Sequence, residues 1–293
     1  TLACGVIQPE MAMHRQDRFL ATAWWSAHLA DTLIRQHGFA QPRFHYLIQD
    51  FEPNFYAWGP ENADAAASYA LNFAPVFNTV PLRDYFALMG YRFAGPDALV
   101  FHPAVDVERY ASGARMQQAG PRRIALYGRP EVPRNMFPTA IEALDRFLAA
   151  AALAPAEVEI LSVGLRHEPV ELAGGHVVQS LGKLPLASYP DWLLGMDIGL
   201  SLMLSPHPSH PPLEMAASGM RVVTNLFAGK DLSRLTPAIL SVEPAAIAVA
   251  EGLARAWAMP PVPEGDRHFD LCALGAPLSS VIATLATDLA PAD

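Results

Sequence analysis

Two arginines, Arg129 and Arg134, flank a short turn that is predicted to follow a strand and precede a helix. The turn reads Tyr127-Gly-Arg-Pro-Glu-Val-Pro-Arg-Asn135, and Gly128 permits a ligand to approach the backbone closely. The planar, permanently charged guanidinium group matches the oxygens of a phosphate. Because the arginines lie on opposite sides of one turn, they can converge on a single anion. The alternative is two solvated side chains that pair with Glu131.

A second candidate stretch, residues 205–225, combines a histidine-containing loop, a short helix and a strand. The paired prolines that begin at Pro211 suit the first turn of a helix, and Gly219 suits a left-handed helix stop. The loop over residues 205–210 is therefore expected at the carboxyl end of a parallel strand, where open α/β sheets bind ligands. Glu214 either complements the helix dipole or accepts hydrogen bonds from a pair of ligand hydroxyls.

Acidic and aromatic side chains are interleaved in residues 49–58, at the end of a predicted strand. Asp50 and Glu52 can bind sugar hydroxyls while the neighbouring rings stack on the C–H faces of a sugar. The alternative is an aromatic mini-core whose acids face water. As a metal site the pair is a weak signal, because divalent cations require more ligands.

These stretches resemble a known enzyme family. The run Pro212-Leu-Glu-Met-Ala-Ala-Ser-Gly-Met-Arg-Val-Val-Thr-Asn225 is similar to the C-terminal signature of retaining GT-B glycosyltransferases of family four. The loop Ser205-Pro-His-Pro-Ser-His210 and the run Ile48-Gln-Asp-Phe-Glu52 resemble rhamnosyltransferases of bacterial surface polysaccharide synthesis, such as that of rhamnans and S-layer glycans. The resemblance covers most of residues 22–257. It departs from the wider family at Pro206, where that family has a first glutamate.

The resemblance implies a donor-binding role for several of these residues. Arg129 and Arg134 would grip the diphosphate of a nucleotide sugar. Glu214 would hold the ribose, and Lys183, in the turn over residues 181–189, would contact the nucleobase unless it is simply solvated. Further donor contacts are expected from Gly128, Asn135, Ser209 and His210.

The candidate catalytic residues are Asp50, Glu52 and His207. The acids are expected on the acceptor side of the site, and the two loop histidines stand where the first glutamate of the family is missing. Simpler roles stay open for part of the set. Asn135 can cap the helix that follows it, and His207 and His210 can be loop histidines that face water.

Apolar runs of strand length alternate with helical patterns, which predicts βαβ units and mainly parallel sheets. The first series of strands is expected over residues 17–22, 43–50, 73–79 and 98–101. The second series is expected over residues 123–127, 158–163, 177–180, 198–203, 222–225 and 239–242. Residues 102–121 have no convincing period and contain Pro, Gly and Ser, so they are predicted to be an irregular bridge between two domains.

The expected fold class is α/β, in the GT-B arrangement that the resemblance implies: two Rossmann-like domains whose parallel sheets face each other across a cleft. Residues 1–103 would form the acceptor-side domain and residues 104–275 the nucleotide-sugar-binding domain. A helix within residues 276–293 would pack back onto the first domain. The opening strand and Gly-rich loop of such a domain are not found, so the first domain is expected to be incomplete at its N-terminus.

Composition excludes several classes of protein. The 293 residues are 52% hydrophobic and 17% charged, which suits one large domain or two of ordinary size. The net charge of −9 and the lack of a basic run argue against a nucleic-acid partner. No dinucleotide-binding, Walker, zincin or serine-hydrolase motif occurs. Lysine occurs only at Lys183 and Lys230, so each of the two merits inspection.

The predicted reaction is the transfer of a sugar, rhamnose from dTDP-rhamnose, to a glycan or lipid-linked glycan acceptor with retention of configuration. The resemblance implies no metal and no other cofactor. No signal peptide and no bilayer-spanning run is visible, which favours the cytoplasm, with peripheral contact to the inner face of the membrane as an open alternative. The alternatives in function are a nucleotide-sugar epimerase, a glycosyl phosphorylase and a non-catalytic sugar-binding module.

Overall fold

The computed structural model describes residues 12–115 and 120–289. Three stretches lie outside this part. They are the two ends of the predicted domains, residues 1–11 and 290–293, and residues 116–119 of the predicted bridge. Two sheets of mainly parallel strands, each packed against helices, confirm the predicted α/β class. None of the helices in the described ranges combines the length and apolar character needed to cross a membrane.

The first sheet has four parallel strands, whose order in space follows their order in the chain. Each strand is joined to the next by a helical segment, as the alternating pattern predicts. The strands are β1 (Leu20–Ala21), β2 (Phe44–Ile48), β3 (Phe73–Asn78) and β4 (Leu99–Phe101), and the helices are α1 (Trp24–His37), α2 (Pro60–Ala67) and α3 (Val80–Leu88).

A short helix, α4 (Val107–Ala111), lies in the predicted irregular bridge, so that part of the prediction is wrong. The carboxylate of Asp106 caps it by accepting a hydrogen bond from the backbone N–H of Arg109 at 3.1 Å. One and a half helical turns are too short to show a period, and the cap is the signal that could have revealed the helix.

The second sheet has seven strands in the spatial order β11-β10-β9-β5-β6-β8-β7. Only the edge strand β7 runs antiparallel to its neighbour. Six of the seven were predicted, with ends shifted by a few residues; β7 has two residues and no pattern to detect. The strands are β5 (Arg122–Gly128), β6 (Val158–Gly164), β7 (Val170–Glu171), β8 (Val177–Gly182), β9 (Ile198–Leu200), β10 (Arg221–Asn225) and β11 (Ile239–Val242).

Helices cover both faces of the second sheet: α5 (Phe137–Ala151), α6 (Tyr189–Leu193), α7 (Pro211–Ala217) and α8 (Ala246–Ala258). Alternate residues of β5 divide between two cores, because successive strand side chains point to opposite faces. Ile124 and Leu126 pack with α5 and α8, whereas Ala125 packs with α7. Each large apolar side chain buried in this way contributes roughly 1.5–3 kcal/mol.

The first sheet is also covered on both faces. Phe77 of β3 packs with α1 and α3 in an aromatic core, while its neighbour Val76 points to the opposite face. There it contacts Val281 and Leu285 of the last helix, α9 (Leu278–Leu289). The helix that ends the described chain thus packs on the first sheet, and loops from the carboxyl ends of both sheets meet at one cavity.

Candidate active site

A cavity of about 830 Å³ lies between the two sheets, at the carboxyl ends of their strands. Parallel strands place these ends along one edge, which is where ligands bind in open α/β sheets. The structure brings nine of the eleven predicted site residues to its wall. They are Asp50, Glu52, Arg129, Arg134, Lys183, His207, Ser209, His210 and Glu214.

The other two predicted residues, Gly128 and Asn135, do not line the cavity. A Cβ added to Gly128 would lie 2.1 Å from Ser162 Oγ, so the glycine is required for close packing beneath the site. Asn135 is 3% exposed and donates from Nδ2 to the carbonyl of Leu202 at 3.3 Å. The prediction that Asn135 caps the next helix is wrong, because Met136 occupies that position in a left-handed conformation.

Asp50 connects the two domains. It follows β2 of the first sheet, and its Oδ1 accepts a 2.5 Å hydrogen bond from Ser205 Oγ, which belongs to the loop after β9. The same oxygen accepts from the backbone N–H of Phe51 at 2.8 Å. Both partners are buried, Asp50 with 7% exposure and Ser205 with 1%. Burial raises the pKa of Asp50, while the Ser205 hydrogen bond and the positive charge of Arg134 oppose that rise. The predicted alternative of an acid facing water is wrong here.

Glu52 is buried in the same domain, with 5% exposure. Its Oε2 accepts a 2.6 Å hydrogen bond from the backbone N–H of Trp24, the first residue of α1, where a carboxylate also complements the helix dipole. Burial nevertheless raises the pKa of Glu52 from 4.5 to about 7. Glu52 can therefore hold or release a proton near neutral pH, and the alternative of an acid facing water is wrong for Glu52 as well.

Replacing this glutamate, Glu52→Gln, should change how stability depends on pH. Because its pKa is higher in the folded protein, Glu52 stabilises the fold fully below about pH 4.5, and this contribution is lost as pH rises through about 7. The free energy of unfolding of the variant should therefore rise relative to wild type between pH 5 and pH 8, as measured by urea denaturation. Glu61→Gln removes an exposed glutamate as the control. Parallel pH dependence of wild type and Glu52→Gln would contradict the assignment.

His207 is buried, and its ring is held in one orientation. Its Nδ1 accepts a 3.0 Å hydrogen bond from the backbone N–H of Ser209, so the neutral ring carries its proton on Nε2. Burial lowers the pKa of His207 to about 3, which keeps the ring neutral. Nε2 has no hydrogen-bond partner in the described ranges, and the side chain lines the cavity. His207 therefore holds a buried N–H donor with no partner in the described ranges beside the cavity, and the alternative of a loop histidine facing water is wrong for it.

The loop that carries His207 is strained at Ser209, whose φ of +68° is unusual for a residue with a side chain. Such strain persists where the surrounding structure over-determines the backbone. Here the strained residue comes just before the first turn of α7, and both Ser209 and the exposed His210 line the cavity. The loop therefore presents its polar groups to the cavity from a fixed position.

Arg129 and Arg134 both reach the cavity, as their spacing predicts. The guanidinium of Arg134 stacks 4.1 Å from the ring centre of Phe55, a residue of the first domain. Its Nε is buried with no hydrogen-bond partner among the described residues, and burial lowers the pKa of Arg134. A half-buried guanidinium with an unpaired N–H group at a cavity wall is suited to bind an anion.

Glu214 lines the cavity from the first turn of α7, and Tyr110 of α4, which the sequence did not suggest, lies beside it. Burial raises the pKa of the Glu214 carboxyl, and the Tyr110 hydroxyl opposes that rise. Tyr189 and Lys183 line the same end of the cavity. The cap at Asp106 is the one sequence signal that could have located α4 and its tyrosine.

Aromatic side chains of the first domain form the opposite wall of the cavity. The indole N–H of Trp24 donates to the hydroxyl of Tyr56 at 3.0 Å, and Trp25 is 44% exposed. Exposed rings beside buried acids can stack on apolar faces of a sugar. No three His, Cys, Asp or Glu side chains in the described ranges converge in a way that could hold a metal ion.

Comparison with solved structures identifies the fold. The UDP-forming α,α-trehalose-phosphate synthase from Burkholderia xenovorans, solved with glucose-6-phosphate, superposes with a TM-score of 0.66 at 14% identity, over 94% of this chain and 73% of that one. WaaG, a glycosyltransferase involved in lipopolysaccharide biosynthesis, superposes with a TM-score of 0.55 at 11% identity, over 80% and 73%. The chain has the GT-B fold. The cavity described above therefore corresponds to the cleft between the two sheets of the GT-B fold.

Sequence comparison adds relatives for both halves of this GT-B chain. Residues 6–80 match the family model described as WsaF, N-terminal domain, and residues 122–254 match that described as WsaF, C-terminal domain. The O-antigen biosynthesis protein RfbC of Myxococcus xanthus is 37% identical over 209 residues, which is 71% of this chain. The GT-B chain spans only 15% of the length of that relative.

Proposed function

We propose that the protein is a glycosyltransferase, which moves a sugar from a nucleotide-diphosphate donor to a glycan acceptor. The observation that carries the proposal is the composition of the cleft. Two guanidinium groups face a cavity whose opposite wall holds two buried acids and a group of aromatic rings. The guanidinium groups suit a diphosphate, and the acids and rings suit a sugar.

The donor is proposed to lie along the second domain. Arg129 and Arg134 would bind the diphosphate, Lys183 the nucleobase and Glu214 the ribose. A carboxylate can accept from two neighbouring hydroxyls, and the deoxyribose of a dTDP donor would supply only its 3′-hydroxyl. The resemblance to rhamnosyltransferases of surface polysaccharides supports dTDP-rhamnose as the donor.

The transferred sugar is proposed to sit between the loop after β9 and the acids of the first domain. Asp50, held by Ser205, would accept a hydrogen bond from a sugar hydroxyl, and the free Nε2–H of His207 would donate one. The acceptor would stack on Trp24 and Trp25. It would be a glycan or a lipid-linked glycan, and the latter would bring the protein to a membrane surface.

Retention of the anomeric configuration is proposed on the resemblance. With Nδ1 occupied and a pKa of about 3, His207 is a poor general base, which favours proton transfer from the acceptor to the leaving diphosphate. The same proposal needs no metal ion, since two arginines can neutralise the diphosphate.

The test is turnover of nucleotide sugars by the purified chain. dTDP-rhamnose and a panel of UDP and GDP sugars are incubated with and without a rhamnose-containing glycan acceptor. Release of the nucleoside diphosphate should be fastest with dTDP-rhamnose, should increase with the acceptor and should persist in excess chelator. Proton NMR of the first product should show the anomeric configuration of the donor.

Other outcomes of that test identify the competing functions. Conversion of the donor into a different nucleotide sugar would identify an epimerase, and a requirement for inorganic phosphate would identify a phosphorylase. Binding of donor and acceptor without turnover would leave a sugar-binding module. An inverted product would exclude the retaining mechanism, and loss of activity in chelator that magnesium restores would exclude the metal-independent one.

A further inference from the structure

A buried cation that the proposed function does not use lies behind the cavity wall. Lys230 ends a tight turn after β10, in which its backbone N–H donates to the carbonyl of Phe227 at 2.8 Å. The side chain is 1% exposed and is not among the residues that line the cavity. It is one of the two lysines of the chain, and the sequence offered no sign that it would be buried.

The ammonium group of Lys230 holds the start of the loop after β9. Its Nζ donates to the carbonyl oxygen of Met203 at 2.7 Å. Asn225 Nδ2 donates to the same oxygen at 3.1 Å, and Asn225 Oδ1 accepts from the Met203 N–H at 2.7 Å. Met203 lines the cavity and stands two residues before Ser205, the hydrogen-bond partner of Asp50.

The charge of Lys230 acts on the centre of the cleft. Asp50 is the acid whose negative charge raises the pKa of Lys230, while burial lowers that pKa from 10.5 to about 7. In the other direction, Lys230 and Arg134 both lower the pKa of Asp50, and Lys230 lowers that of His207. The charged and titratable groups that interact with the ammonium are therefore Asp50 from the first domain and His207 from the second.

Burying an ammonium group destabilises the folded protein unless a neighbouring group interacts favourably with its charge. An ammonium has three N–H donors, and one protein acceptor is in place for them in the described ranges. Burying a charge without full hydrogen bonding is unfavourable, and an apolar side chain of similar length, such as methionine, would fill the same space without that cost. The lysine is best explained by a partner that benefits from a positive charge, and the acid whose charge interacts with it is Asp50.

We infer that Lys230 is a positioning residue of the cleft, which clamps Met203 and supplies, while protonated, a buried positive charge that favours the ionised form of Asp50. The effect on catalysis rests on the proposed function, in which an ionised Asp50 accepts a hydrogen bond from a sugar hydroxyl. The contacts of Lys230 with Met203 and its interaction with Asp50 do not depend on that function. Lys230 acts through Asp50 and Ser205, and it does not contact the substrate.

The first experiment titrates Lys230 directly in the intact chain. Because the chain has two lysines, labelling lysine with ¹³C at Cε gives two signals, which Lys183→Arg assigns. The pKa of Lys230 should be about 7 in the wild type. Asp50→Asn removes the opposing charge and should lower it further, by about one unit or more, whereas the exposed Asp64→Asn should not. An unchanged pKa in Asp50→Asn overturns the inference.

The second experiment measures transfer by Lys230→Met against pH. Without the positive charge, Asp50 takes up its proton at higher pH, so the acid limb of the kcat profile should move up by about one unit. The variant should therefore lose about tenfold in kcat at acidic pH and approach the wild type at alkaline pH. Arg234→Met, which removes an exposed cation four residues away, should leave the profile in place.

These measurements separate the two proposals. If Lys230→Met folds and keeps the wild-type pH profile of kcat, then Lys230 only holds Met203 in place, and the inference is overturned. If that variant does not fold, the lysine titration in Asp50→Asn still decides the question. If the wild type transfers no sugar, the proposed function fails, while the titration continues to test the link between Lys230 and Asp50.

Discussion

Arg134→Ala is expected to weaken binding of a nucleoside diphosphate by about tenfold or more. The guanidinium lines the cleft, and its Nε is buried with no partner in the described chain, so donors are available for phosphate oxygens. Each hydrogen bond between a charged donor and a phosphate contributes ~1.5–3 kcal/mol. Arg129→Ala should have a similar effect, because Arg129 reaches the same cavity from the other side of the turn.

Isothermal titration calorimetry with dTDP and UDP measures this effect. Arg146→Ala is the matched control, since Arg146 lies on the exposed side of α5 and pairs with Glu142. Arg134→Lys should retain part of the affinity, because it keeps the charge but loses the planar group that stacks on Phe55. Unchanged affinity in both alanine variants would remove the arginines from the diphosphate site.

Asp50→Asn is expected to reduce kcat for transfer by about two orders of magnitude. The substitution keeps the shape of the side chain, and its amide oxygen can still accept the Ser205 hydrogen bond, so the contact between domains should persist. What is lost is the negative charge that strengthens the hydrogen bond to a sugar hydroxyl and stabilises positive charge on the sugar ring in the transition state. Binding of the nucleoside diphosphate alone should change little.

Steady-state kinetics, calorimetry and a thermal melt together test this prediction. Asp64→Asn, an exposed aspartate of α2 in the same domain, controls for the general loss of an acid. The melt is needed because Asp50→Asn also leaves Lys230 without its opposing charge. A folded Asp50→Asn with the kcat of the wild type would show that this carboxylate has no part in the transfer.

The elements that carry the site were predictable because their signals are local. Alternating apolar strands and helices determine the two parallel sheets, and a parallel strand must present its carboxyl end to the loop that follows it. Arg129 and Arg134 could therefore be expected near one anion, and the loop before Glu214 at a ligand site. Both sets of residues line the same cavity, while their roles in binding stay predictions.

The shortest elements could not be predicted from a period. β7 has two residues and α4 has five, so neither completes enough repeats of its pattern. The omission of α4 also concealed Tyr110, which lies beside Glu214 and lowers its pKa against the effect of burial. Asn135 shows the converse: its position before a helix suggested a cap, but its amide bonds to the end of the neighbouring strand instead.

The pKa values and hydrogen-bond partners of the side chains in the cleft were decided by tertiary structure alone. Asp50 and Ser205 are 155 positions apart, and their hydrogen bond forms only because two sheets face each other. Glu52 has its pKa raised, and Lys230 and His207 have theirs lowered, because packing removes water from groups whose side chains give no hint of burial. The sequence by itself determined which loops meet at the site, since strand direction is a local property. Which side chains are ionised at the site depends on burial and on partners from distant parts of the chain.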